Sequence, residues 1–184
     1  MTVRSRSARV LGAAVALVVV GIVAIRVVAA ATDDDPIKRS FLVVRDESVG
    51  GFPRDGTVGA AVEVLGLPTA RIAGGQGQCE LKWPSRGITM TTFFPGVADA
   101  CTLKGSHVST TLTDPRWETE SGLKIGDPQA RVQELYPDAP PPSSDGVVEL
   151  MTRDFSGLPL PSLTVTVAKG RVVALTLYGP RRGF

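Results

Sequence analysis

The sequence predicts an α+β fold, in which two tandem helix-then-antiparallel-strand repeats form one sheet with short helices packed on one face. Three observations lead to this prediction. Apolar and polar residues alternate with a period of two in several segments, which is typical of strands with one buried face. Two short segments with helix caps and stop residues lie about 70 residues apart, and each precedes a group of such strands. The composition, 43% hydrophobic and 21% charged, is that of a globular chain.

The first 31 residues predict a signal peptide or an N-terminal membrane anchor. Residues 10–25 carry no charged or polar side chain, and the three arginines before them favour an N-terminus held inside the cell. Residues 10–31 are long enough to cross a bilayer if Arg26 reaches the outer interface. The alternative is a secreted protein, cleaved at the A-x-A-like site Ala29-Ala30-Ala31. Both interpretations place the rest of the chain outside the cytoplasm.

Beyond residue 31 the chain is close to neutral. Four of the 20 basic residues lie in the first 31 positions, so 16 basic residues remain against 18 acidic ones, a formal charge of −2. Nucleic-acid-binding domains carry a basic surface that this composition does not provide. Nucleic acid is therefore not an expected partner.

The two cysteines, Cys79 and Cys101, are expected to form a disulfide, the simplest state of such a pair in an exported chain. One histidine and two cysteines supply too few ligands for a zinc site. We therefore expect neither a metal nor a cofactor.

The first predicted repeat covers about residues 41–113, after a solvated linker at 32–40. A short helix within 52–69 is expected to begin at Asp55 or Thr57, which are good N-cap residues, and to end at Gly66. Residues 73–78, "AGGQGQ", read as a flexible loop.

Three strands are predicted to follow in the first repeat, at 79–83, 88–94 and 107–113. Trp83 shares the apolar face of the first strand and is expected in the core. In the third strand, alternation predicts that Val108 points inward and that His107 lies on the surface without a role.

The second predicted repeat covers about residues 114–179 and is followed by a tail at 180–184. Asp127 is expected to cap its helix, with Pro128 at the first helical position. Trp117, just before this helix, is expected in the core. Three strands are predicted at 147–151, 163–168 and 171–178, with Lys169-Gly170 as a hairpin turn.

The segment "DGTVGAAVEVLGLPT", residues 55–69, resembles the helix signature of the SmpA/OmlA (BamE-type) envelope lipoproteins. Two such units in tandem, with a cysteine pair in the strand region, resemble the β-lactamase-inhibitor-protein-like (BLIP-like) arrangement. The resemblance implies an α+β fold and a protein-binding role, either as a scaffold in an envelope assembly or as an inhibitor of a secreted enzyme. The chain departs from the lipoproteins because it has no cysteine that would carry the lipid.

These observations predict a non-enzymatic, extracytoplasmic protein-binding module of the bacterial cell envelope. Alternatives are a secreted or tethered inhibitor of an extracellular enzyme, and an unrecognised hydrolase. No catalytic residue is assigned, since His107 is the only histidine and no G-x-S-x-G motif accompanies it. The expected partner is another envelope or secreted protein, besides the membrane itself if residues 10–31 are uncleaved.

The expected binding surface is the polar face of the sheet, opposite the predicted helices. Threonine suits exposed strands by propensity alone, so an ordinary solvated face is the alternative, whereas exposed aromatic residues are favoured anchors at interfaces. The residues assigned to partner binding are Thr89, Thr91, Phe93, Thr111 and Tyr178.

Overall fold

The computed structural model describes residues 36–96 and 101–180, which form three short α-helices, one 3-10 helix (Pro84–Arg86) and eleven strands. The helices are α1 (Pro36–Arg39), α2 (Val58–Leu65) and α3 (Gln129–Leu135). The strands are β1 (Leu42–Val44), β2 (Ser48–Val49), β3 (Phe52–Pro53), β4 (Ala70–Gly75), β5 (Gln78–Trp83), β6 (Ile88–Phe93), β7 (Ser106–Leu112), β8 (Glu118–Thr119), β9 (Val147–Phe155), β10 (Leu158–Ala168) and β11 (Arg171–Tyr178).

The strands form two sheets, so the α+β class is confirmed but the prediction of one sheet is wrong. The large sheet has the order β4-β5-β6-β7-β11-β10-β9, with antiparallel neighbours throughout. The small sheet has the order β3-β2-β1-β8, and β1 pairs with β8 in parallel. The small sheet escaped prediction because its strands are two or three residues long, too short for alternation to be recognised.

The two predicted repeats meet in the middle of the large sheet. The first contributes β4 to β7 and the second contributes β9 to β11, and β7 pairs with β11, the last strand of each group. A helix precedes each group of strands. That the two groups are copies of one unit remains a prediction.

One hydrophobic core joins α2 and α3 to the inner face of the large sheet. Val58, Ala61 and Leu65 of α2 are buried in the same cluster as the inward side chains of β5, β6, β7 and β11. Trp83 and Trp117 are buried as predicted. Each indole N–H donates to a backbone carbonyl, Trp83 to Gly66 at 2.9 Å and Trp117 to Arg86 at 2.7 Å. Both polar atoms are therefore satisfied inside the core.

The predicted N-cap is confirmed for α2 but not for α3. Thr57 caps α2, since its hydroxyl oxygen accepts from the Ala60 N–H at 3.3 Å. The prediction that Asp127 caps α3 is wrong. Its carboxylate accepts instead from the Lys124 N–H at 2.8 Å, in the preceding turn, and Pro128 occupies the cap position with no side-chain hydrogen bond.

The predicted disulfide is present between Cys79 on β5 and Cys101, with Cα atoms 5.0 Å apart. The segment after Cys101 closes the start of α2: the Leu103 and Gly105 carbonyls accept from the first backbone N–H groups of the helix, at 2.9 and 2.8 Å. The two cysteines are 22 positions apart, and closing a loop of this length adds about 3 kcal/mol to the free energy of unfolding in the chain-entropy model. The disulfide therefore also fixes the segment that caps α2.

Two hairpins are longer than the sequence predicts. Residues 73–78 are not a free loop, because β4 runs to Gly75 and turns tightly through Gln76 and Gly77 into β5. Strand β9 continues to Phe155, beyond its predicted end at 151, and β10 begins at Leu158, before its predicted start at 163. Proline is disfavoured inside a sheet, but β10 pairs with β11 only from Leu163 onward, so Pro159 and Pro161 lie where β10 pairs with β9 alone.

Some predictions fall outside the described residues, among them the anchor or signal peptide at 1–31 and nearly all of the tail. Within 36–96 and 101–180, every helix is too short or too polar to cross a membrane. The second half of the predicted linker contains one helical turn, α1.

We expect Gly77→Ala to destabilise the fold more than Gly75→Ala. Both glycines have a left-handed φ, +81° and +76°, so the backbone strain of an alanine is similar at the two positions. At Gly77 the added methyl would also overlap the Phe94 carbonyl oxygen, whereas at Gly75 it would meet open space. Urea denaturation should show Gly77→Ala to be less stable by about 1–2 kcal/mol than Gly75→Ala. Equal midpoints for the two variants would contradict the described turn.

Candidate functional site

The open face of the large sheet is defined here by two rows of side chains on β5, β6, β7 and β11, on the side opposite the core. Cross-strand register fixes both rows. The first row is Lys82, Thr89, Thr111 and Thr176, and the second is Glu80, Thr91, Ser109 and Tyr178.

The structure brings the five predicted binding residues to this side of the sheet. Thr89, Thr91 and Thr111 lie half-buried in the two rows, and Tyr178 is 36% exposed. Phe93 lies two residues beyond Thr91 on β6 and is half-buried. That these residues bind a partner remains a prediction.

Polar groups on the open face are partly satisfied by one another. The hydroxyl oxygens of Thr111 and Thr176 lie 3.3 Å apart, within hydrogen-bond distance. Lys82 and Glu80 form an ion pair at 2.7 Å, with about two fifths of each side chain exposed. The two rows therefore carry one positive and one negative charge, and no net charge.

A bulge in β7 alters the predicted assignment of its two faces. Thr91 pairs with Ser109 but the next residue, Thr92, pairs with His107, so Val108 is the extra residue on β7. A bulge of this kind reverses the alternation on one side of it. His107 is therefore buried and Val108 is 42% exposed, the reverse of the prediction for both residues.

His107 is held inside the core by both ring nitrogens. Nδ1 donates to the Arg54 carbonyl oxygen at 2.6 Å, and Nε2 accepts from the Thr110 hydroxyl at 2.9 Å. The Phe52 ring packs edge-on against the imidazole, with centroids 5.3 Å apart. Burial lowers the pKa of His107 to about 4, and the positive charge of Arg54 acts in the same direction. The ring is therefore neutral at physiological pH.

An ion-pair network built around the buried carboxylate of Asp46 lies next to His107. Asp46, 3% exposed in the β1–β2 turn, accepts two hydrogen bonds from the Arg153 guanidinium at 2.8 and 2.9 Å. Arg54 Nη1 is 3.6 Å from the same carboxylate, and Arg153 also donates to Glu47 at 3.1 Å. Burial alone would raise the pKa of Asp46, but the Arg153 hydrogen bonds and the charges of both arginines outweigh it and lower the pKa.

Sequence reasoning missed this network because its members are distant in sequence and belong to no motif. Asp46 and Arg153 are 107 positions apart. Arg153 lies beyond the predicted end of its strand, and Asp46 lies between two strands too short to be recognised. A periodic pattern within one segment does not predict a contact between two residues so far apart in sequence.

The acidic residues around Trp117 are engaged in local structure. Asp114 binds the Arg116 side chain at 2.7 and 2.9 Å, and Glu118 pairs with Lys124 at 3.2 Å. In the described part of the chain, no three His, Cys, Asp or Glu side chains are grouped as a metal site requires. Each of these acids therefore has a structural partner at hand.

A shallow cleft of about 640 Å³ lies over the small sheet, between α1 and β8. Its lining includes the apolar residues Leu42 and Val44 and the acidic residues Glu118 and Glu120. Glu120 pairs with Arg45 at 2.9 Å, as Glu118 pairs with Lys124. The two acidic residues of the lining are therefore paired charges.

No family model and no curated protein matches the chain. Among solved structures it is similar to an extracellular protein containing an SCP domain from Bacillus anthracis str. Ames, at 9% sequence identity and a TM-score of 0.41. The similarity covers 68% of this chain and 44% of that chain, so this chain matches less than half of its neighbour's length. At this level the likeness bears on neither family nor function.

We expect the stability of the protein to fall as the pH is lowered from 6.5 to about 4. The ordinary pKa of histidine is 6.5 and that of His107 in the folded chain is about 4, so in this window the unfolded state binds the proton and the folded state does not. The free energy of unfolding should therefore decrease on acidification, by roughly 3 kcal/mol over the window. Denaturant titrations at several pH values measure this slope.

His107→Asn is the matched variant, since its amide can still donate to the Arg54 carbonyl but does not titrate. It should be less stable at neutral pH and show a flatter profile between pH 6.5 and 4. The same slope in both proteins would contradict the assignment to His107.

Proposed function

We propose that this protein is a non-enzymatic protein-binding module of the bacterial cell envelope, located outside the cytoplasm, and that it binds another protein through the open face. The exposure of Tyr178 beside the hydroxyl residues of the two rows is the observation that carries the proposal. The disulfide supports the location, because such bonds persist in oxidising compartments and are rare in the cytosol.

The open face has the chemistry of a recognition surface. Threonine and serine present a hydroxyl for hydrogen bonding beside small apolar atoms, and Tyr178 combines an apolar ring with a polar tip. Val108, turned outward by the bulge, adds apolar surface on the same strand as Ser109. Aromatic residues of this kind dominate binding energy at protein interfaces.

The rigidity of the face favours binding as well. Every second residue of β5, β6, β7 and β11 is anchored in the core on the opposite side, apart from the bulge in β7 and a register shift at Val173 in β11. Less conformational freedom is lost on association when the surface is already ordered. If the two predicted repeats are copies of one unit, the open face spans their junction at β7 and β11.

The environment of the titratable groups supports binding over catalysis. A general base needs a free lone pair and a pKa near the working pH, whereas His107 has both nitrogens engaged and a pKa of about 4. Asp46 is held by Arg153 in a bidentate pair. These contacts suit structural roles for both residues.

A second candidate, inhibition of an extracellular enzyme, is supported by a different feature, the β9–β10 arm (residues 152–159). The arm is exposed along its length, and Phe155 pairs with Leu158 at its tip, where they are 38% and 63% exposed. The Asp154 carboxylate accepts from the Gly157 N–H at 2.9 Å and so braces the turn. A braced apolar tip fits insertion into an enzyme cleft.

Replacing Phe93 and Tyr178 together by alanine is expected to abolish capture of the partner by the chain from residue 37 onward. Loss of two aromatic anchors at an interface weakens binding by at least about 2 kcal/mol. Leu67→Ala with Leu103→Ala is the control, since both leucines are exposed and lie outside the two rows. Affinity of the identified partner can be measured by calorimetry, and an unchanged affinity for the Phe93 and Tyr178 variant would reject the open face.

Replacing Phe155 and Leu158 by serine tests the inhibitor candidate. If the arm inhibits a secreted hydrolase, the unaltered chain should lower hydrolase activity in culture medium, and the arm variant should lose at least about tenfold in inhibition. The Phe93 and Tyr178 variant should then inhibit normally, because its changes lie away from the arm. The inhibitor candidate fails if the unaltered chain leaves the activities unchanged, or if both variants inhibit equally.

A further inference from the structure

The two rows of the open face are complementary to each other. They run side by side across the same four strands, and on each strand the residue of one row lies two positions from the residue of the other. One row begins with the positive Lys82 and the other with the negative Glu80. Hydroxyl residues occupy the next positions of both rows, and Tyr178 ends the second row beside Thr176 of the first.

A two-fold rotation about an axis lying over the open face would place the complementary side chains of the two rows opposite each other in two copies of the chain. The axis runs across the strands, between the two rows, at the level of Leu81 on β5. It places the first row of one copy over the second row of the other. Lys82 then faces the second copy's Glu80, Thr89 faces the second copy's Thr91, Thr111 faces the second copy's Ser109, and Thr176 faces the second copy's Tyr178. The rotation produces each of these contacts twice.

We propose that the partner of the open face is a second copy of this chain, stacked face to face as a symmetric dimer. The proposal rests on the proposed function, because it names the protein that the open face binds. Stacked sheets lie about 10 Å apart, with their strands nearly aligned, which this rotation satisfies. The threonine methyl groups and the Tyr178 ring fill the space between the two sheets.

Charge complementarity favours a second copy over a charged polymer. On β5, β6, β7 and β11 the two rows carry one positive and one negative charge, and the register continues the first row through Thr164 to the exposed Glu149 on β9. An anionic polymer or an anionic membrane therefore gains little from this face. Between two copies, the Lys82–Glu80 pair within each chain can rearrange into two pairs across the interface. Complementary charges set orientation and register at an interface, which here selects this rotation.

Charge reversal on the full chain, purified in mild detergent, tests the dimer. Sedimentation velocity over a range of concentrations should show that the unaltered chain dimerises. Lys82→Glu leaves two acids facing two acids, and Glu80→Lys leaves two bases facing two bases, so each variant should associate at least about tenfold more weakly. An equimolar mixture of the two variants should restore association, with affinity-tagged Glu80→Lys capturing untagged Lys82→Glu. The double variant Glu80→Lys with Lys82→Glu should dimerise like the unaltered chain.

Glu134→Lys is the matched control, because Glu134 forms a comparable exposed pair with Arg131 on α3, away from the open face. It should dimerise normally, and circular dichroism should show that all variants are folded. The face-to-face dimer is overturned if the unaltered chain is a monomer at every concentration, or if it dimerises and neither single charge reversal weakens the association. Either result leaves the proposed function open to its own test, since the loss of capture in the Phe93 and Tyr178 variant concerns a partner of any identity.

Discussion

The carboxylate of Asp46 is removed from water at the point where the small sheet meets the edge of the large one. An isolated buried charge of this kind costs several kcal/mol, so it must be compensated where it lies. Arg153 supplies this compensation from β9 with two hydrogen bonds, and Arg54 adds a second positive charge from the end of β3. The small sheet and β9 are therefore held in a fixed relation, since separating them would leave the carboxylate without partners.

The same network reaches the central strand of the large sheet. The backbone carbonyl of Arg54 accepts from His107 on β7, so the residue that faces Asp46 through its side chain also holds the histidine through its main chain. His107 can occupy this position because the bulge turns it inward and turns Val108 outward. The arrangement of the open face thus depends on a polar requirement inside the core, because shifting β7 by one residue would expose His107 and bury Val108.

The sequence predicts those parts of the fold that local signals specify. Alternation identified β5, β6 and β11, cap and stop residues identified α2, and the cysteine pair identified the disulfide. The small sheet and the β9–β10 arm were missed because strands of two or three residues, and a segment interrupted by prolines, give no periodic signal. The bulge was missed for a different reason: the requirement that turns His107 inward comes from Arg54, which is 53 positions away. Of the candidate site, alternation placed the five residues predicted to bind a partner on one side of the sheet, whereas it gave no sign of Asp46, Arg54 or Arg153.

The threonines of the open face do not by themselves argue for a binding surface. Threonine has a high strand propensity, so a solvated sheet face would select it without a partner. The positions of the two charged residues and of the tyrosine are more informative about binding, because strand propensity does not determine where they lie. Lys82 and Glu80 begin adjacent rows, and Tyr178 ends the second row next to a threonine hydroxyl in the first. The Lys82–Glu80 pair stabilises a solvated face within one chain, but on a face that stacks on its own copy the same two charges also match across the two-fold axis.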